Sequence, residues 1–114
     1  MSDATRIAAR NNAEWCNAVC RAHGTAGHFS TPLWLNLHPT PPFYPNAVTL
    51  EADAIEAQIE AVTALRQALP ADFAIKDSFA VLDLGSRGFA PLFQATWIRW
   101  APGLVPQRPV AGLE

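Results

Sequence analysis

Residues 73–100, FAIKDSFAVLDLGSRGFAPLFQATWIRW, constrain the fold more than any other stretch of the chain. Phe79 and Val81 alternate with Ala80, Leu82 and Leu84, so apolar side chains fall on both faces of an extended segment. That is the pattern of a strand covered on both sides. Gly85, Ser86, Arg87 and Gly88 carry the turn chemistry of a hairpin. Beyond them Phe93, Ala95 and Trp97 share one face, Leu92 and Ile98 the other, and Pro91 marks a bulge or an edge position. The expectation is a C-terminal β-hairpin over about 79–100.

Two amphipathic helices are expected to pack on it. Asn12 suits an N-cap, and Glu14 suits the positive end of the helix dipole. Trp15, Val19 and Ala22 fall at i, i+4 and i+7, one buried stripe, and Gly24 can take the left-handed conformation that closes a helix. This places a helix over about 12–23, with 3–11 as an extra helical turn or a loose lead-in. The second helix spans about 53–68. Asp53 and Glu56 resemble a capping box, and Ile55, Ile59, Val62 and Leu69 make its buried stripe, with Leu65 at the margin. Pro70 stops it, because a residue before proline avoids the α conformation.

Leu33–Leu37 (LWLNL) and Ala47–Leu50 (AVTL) are short strand candidates. Between them lies HPTPPFYPNA, with four prolines between 39 and 45. Proline fixes φ and offers no amide, so this is an ordered, non-repetitive connector, in which Tyr44-Pro45 is a context for a cis bond. The fold class is therefore α+β: a small antiparallel or mixed sheet built around the hairpin, with two packed helices and a strand order left open. Residues 1–100 read as one domain. Residues 101–114, with three prolines and two glycines and no periodicity, read as a tail or interdomain linker.

Of the 114 residues half are apolar and 16% charged, enough to bury a core and too few charges for a disordered chain. A net charge of −2, with both signs interspersed, offers no basic field for nucleic acid or anionic lipid. No apolar run approaches the roughly 20 residues of a spanning helix, and the N-terminus lacks the apolar core of a secretory signal. With two cysteines and no such signal, a reducing compartment is expected, and the plain reading is a cytoplasmic bacterial-type protein.

Candidate chemistry is thin. Cys16, Cys20 and His23 lie at i, i+4 and i+7, with His28 just beyond, and thiolate and imidazole suit zinc. Positions 16 and 23 are, however, about 10 Å apart along a helix axis, too far for one ion. Core or surface thiols are the simpler reading. Ser78 beside Asp77, with His38 from the proline loop, is the one nucleophile–base–acid grouping that can be assembled, and no GxSxG turn supports it. Asp53, Glu56 and Glu60 fit the cap and solvent face of a helix, and Asp83 either faces water on the turn side of the hairpin or pairs with Arg87. Phosphate-cradling GxxxxGK[ST] and GxGxxG are absent. Trp97, Ile98, Arg99 and Trp100 read as the rim of a buried interface, where Trp and Arg are enriched. No catalytic residue, metal or cofactor is assigned.

Several phrases carry a family resemblance. Residues 9–16 (ARNNAEWC), 19–24 (VCRAHG), 40–50 (TPPFYPNAVTL) and 76–79 (KDSF) resemble a group of uncharacterised bacterial proteins. So do Leu82-Asp83-Leu84, Gly88-Phe89 and Thr96-Trp97-Ile98. Members of that group are typically about twice this length, and their second half looks like an acetyltransferase of the GNAT type. The resemblance implies that this chain corresponds to the N-terminal half. The [RQ]xxGx[GA] signature, whose backbone amides hold the acetyl-CoA pyrophosphate, is missing here.

Two functional readings follow. One is a non-catalytic accessory domain that packs on a companion acetyltransferase-like domain or on a second copy of itself. The other is a small-molecule-binding domain or enzyme, with a pocket between the first helix, the proline-rich loop and the sheet. Trp15, Tyr44, Trp97 and Trp100 are the candidate pocket or interface residues.

Overall fold

The first helix, α1, runs from Asp3 to Ala22 without a proline or glycine to interrupt it, so the expected lead-in is fully helical. Its buried face is Ala9, Ala13, Cys16 and Cys20, at spacings of 4, 3 and 4. The stripe expected through Trp15, Val19 and Ala22 is therefore corrected by rotation about the axis: Trp15 is 60% exposed, Val19 half-buried and Ala22 exposed. Size is the reason. Four small residues let the helix backbone settle closely on the sheet, and the bulky group at the interface comes from the sheet side, as Trp34. Gly24 closes α1 at φ 82, with Thr25 N donating to Cys20 O at 2.9 Å and Gly24 N to Arg21 O at 3.0 Å, a Schellman pair.

The computed structural model describes residues 3–69 and 73–92. Four short strands follow α1 in the chain: β1 (His28–Phe29), β2 (Leu33–Leu35), β3 (Ala47–Thr49) and β4 (Ile75–Lys76), with helix α2 (Ile55–Ala68) between β3 and β4. They form one mixed sheet in the order β1-β2-β3-β4. β1 with β2 and β2 with β3 are antiparallel, whereas β3 with β4 is parallel, through the crossover that α2 supplies.

Side-chain alternation sorts the sheet residues into two cores. Trp34 and Val48 join Ala13, Cys16, Cys20 and Leu50 on the α1 side. Leu33, Leu35, Ala47 and Ile75 join Val62, Leu65 and Leu69 on the α2 side. The helices thus cover opposite faces, and a one-residue slip in β2 would exchange the two sets.

α2 enters without the expected capping box. Its N-cap is Ala54, at φ −90 and ψ 54, and no side chain caps it. Gln58, fully buried, instead pins the segment that leads into the helix: Nε2 donates to Glu51 O at 3.0 Å and Ala54 O at 2.9 Å, and Oε1 accepts from Leu50 N and Glu51 N. The buried face is Gln58, Ile59, Val62 and Leu65, so Leu65 belongs to the centre and Ile55 to the partly exposed margin. Leu69 ends the helix in extended conformation, φ −110 and ψ 140, as the following proline requires.

The expected first arm of the hairpin, 79–84, is not a strand. Asp77–Ala80 form a turn in which Ala80 N donates to Asp77 O at 3.2 Å and Ala80 takes φ 54. Asp77 Oδ2 then accepts from Leu82 N at 2.9 Å, capturing an amide that a ladder would have used. Gly85–Arg87 make a single 3-10 turn closed by Gly88 at φ 91. The apolar residues that suggested two covered faces are consumed separately, with Phe79 buried and Leu84 packed on the α2-side core. Residues 93–100 of the expected second arm, and the 101–114 tail, lie outside the described residues.

Candidate functional site

Asparagines organise the end of the sheet near the proline loop. Asn36 Nδ2 donates to Thr25 O at 2.8 Å and its Oδ1 accepts from His38 N at 3.0 Å. Asn46 Nδ2 donates to Asn36 O and His38 O, and Asn46 N donates to Ala74 O at 2.8 Å. Both asparagines are buried, so the loop between them stands on a satisfied polar base.

At its tip, Tyr44 N donates to Pro41 O at 3.1 Å and Thr40 Oγ1 donates to Tyr44 O at 2.6 Å. Pro42 and Phe43 are the central residues of that turn, and Phe43 takes φ 74. This is the type II position that glycine or asparagine normally fills, and a β-carbon there costs about 1–3 kcal/mol. Phe43 is fully exposed. The Tyr44–Pro45 bond is trans, as no cis peptide occurs among the described residues.

Of the four residues expected to form a pocket or interface, Trp97 and Trp100 lie outside the described residues. Tyr44 packs against the α1-side core, which already contains Cys16, Cys20, Trp34 and Val48. Trp15 points away from that core. Asn17 Oδ1 accepts from Gly27 N at 2.8 Å and from Trp34 Nε1 at 3.0 Å, which fixes one flank of α1 over β1 and β2. The sheet order is β1-β2-β3-β4, and Lys76 of β4 pairs in register with Val48 on the α1 face, so the flank opposite Asn17 lies on the β3–β4 side. One residue back from Cys16 turns about 100° around the axis, away from Asn17. Trp15 therefore stands on the β4 flank.

The thiols and imidazoles do not converge. Cys16 and Cys20 are buried in the core, whereas His23 is exposed with Nδ1 donating to Val19 O at 3.0 Å, and His28 is exposed on β1. Among the described residues no three His, Cys, Asp or Glu side chains come together as ligands. Burial holds the Cys16 thiol above its ordinary range, with the Lys76 ammonium pulling the other way. Asp77 serves the turn after β4, Ser78 N donates to Thr49 Oγ1 at 2.8 Å, and His38 is exposed in the proline loop. Asp83 accepts from Ser86 Oγ at 3.0 Å, and Arg87 Nη1 lies 3.9 Å from its carboxylate. The expected Asp83–Arg87 pair thus forms within the 3-10 turn.

One cleft escaped the sequence reading. Arg6, Ile7, Arg10 and Asn11 of α1 face Thr31, Leu50 and Glu51 across a volume of about 270 Å³. Arg6 pairs with Glu51 at 2.9 Å. Arg10 pairs with Glu14 at 3.2 Å and lies 4.4 Å from the centre of the Phe29 ring. Helical spacing of 4 between the two arginines was the available signal; that a strand end would face them was not.

No helix among the described residues is long and apolar enough to cross a membrane. No protein-family model matches the chain, and no curated protein and no solved structure is significantly similar to it.

Proposed function

We propose that this chain is a non-catalytic accessory domain that docks on a companion domain through the Trp15 flank of α1 and the neighbouring β4 edge. The observation that carries the reading is Trp15 itself, a large ring 60% exposed on a helix whose opposite flank is already committed to β1 and β2. Trp is the residue type most enriched where interfaces gain their binding energy. The resemblance of residues 9–100 to the N-terminal half of the bacterial group supports an acetyltransferase-like, GNAT-type companion. A cytoplasmic location fits that partner.

The small-molecule alternative has less support. The space between α1, the proline loop and the sheet is filled by Cys16, Cys20, Trp34 and Val48, with Tyr44 packed on them. Co-expression of this chain with the acetyltransferase-like segment of a group member tests the reading. A stable complex is expected, weakened at least tenfold by Trp15→Ala, since an interface hot spot is worth about 2 kcal/mol or more. Acetyl-CoA is expected to leave the Tm of the isolated chain unchanged, because a ligand that does not bind cannot shift unfolding. A rise of several degrees with acetyl-CoA, or no complex, would overturn it.

A further inference from the structure

We draw no further inference here: the strongest candidate, the fully exposed Phe43 ring held at φ 74 at the tip of the proline loop, is an unpartnered apolar surface, and nothing in the structure shows what covers it.

Discussion

Gly27 lies against the Trp34 indole so closely that a β-carbon at position 27 would stand 2.6 Å from three ring atoms. The ring cannot retreat. Trp34, on β2, is fully buried beneath α1, and its Nε1 is held by Asn17 Oδ1 at 3.0 Å. The same oxygen accepts from Gly27 N at 2.8 Å, so one asparagine clamps the loop and the indole together.

Gly27→Ala is therefore expected to destabilise the fold by about 1–3 kcal/mol, the usual cost of forcing extra volume into a packed core. Thermal unfolding followed by circular dichroism measures it as a Tm several degrees lower. An unchanged Tm would mean that the loop lifts freely off the ring, and the clamp would have to be abandoned.

Gln58 offers a second, independent test. Its amide makes four hydrogen bonds, to Leu50 N, Glu51 N, Glu51 O and Ala54 O, and pins the segment before α2 to the helix's first turn. Gln58→Leu keeps the bulk but removes the acceptor of Glu51 N and the donor to Glu51 O, whereas Leu50 N keeps Pro32 O at 2.8 Å. A buried polar group left unpaired costs about 1–3 kcal/mol. A loss of about 1–3 kcal/mol is expected in urea unfolding, as a lower midpoint with an unchanged slope. A midpoint equal to that of the native chain would show that water replaces the side chain at no cost.

These two sites mark where the sequence is legible and where it is not. Local punctuation reads well: Gly24 closes α1, Pro70 ends α2, and the apolar runs at 33–35 and 47–49 are strands. Those signals act within a few residues. Which face of a helix is buried depends instead on what the other side supplies. Hydrophobicity singled out Trp15, but the packed face is alanine and cysteine because Trp34 fills the interface from the sheet. Turn chemistry was equally visible at 85–88, and Gly88 does take a positive φ. Its consequence was not visible, since Asp77 diverts the chain before any ladder can form over 79–84. β4, two residues long and carrying Lys76, has no pattern to detect. Nor does a phenylalanine announce φ 74.

Thr49 ties β4 and the following turn to the sheet. It is fully buried, accepts from Ser78 N at 2.8 Å and donates to Lys76 O at 3.4 Å through one hydroxyl. Thr49→Val preserves shape and removes both bonds. A cost of about 1–3 kcal/mol is expected, concentrated where a buried amide loses its acceptor. Hydrogen exchange should report it as faster exchange at Ser78, with α1 amides slowed or quickened only as far as global stability changes. Unaltered protection at Ser78 would rule out Thr49 as the tether.

Cys16 and Lys76 make a titrating pair whose two members act in opposite directions. Burial pushes the Cys16 thiol from 9.0 up to about 11, against the Lys76 ammonium, which lowers it, while Cys20 adds to the rise. Burial lowers Lys76 from 10.5, with Cys16 opposing. Between pH 9 and about 11 the unfolded chain has lost the thiol proton that the folded chain keeps, so this group makes stability fall as pH rises. For Lys76 the folded chain sheds its proton first, so below pH 10.5 its contribution rises with pH. Lys76→Met removes the rising part and the ammonium that favours thiolate. The stability loss above pH 9 should therefore steepen in urea titrations, and Cys16→Ala added to Lys76→Met should flatten it again. Because thiolate is the reactive form, iodoacetamide should label Cys16 more slowly in Lys76→Met than in the native chain at the same pH. Faster labelling would mean that the lysine stem shields the sulfur more than its charge activates it, and the electrostatic pairing would fall.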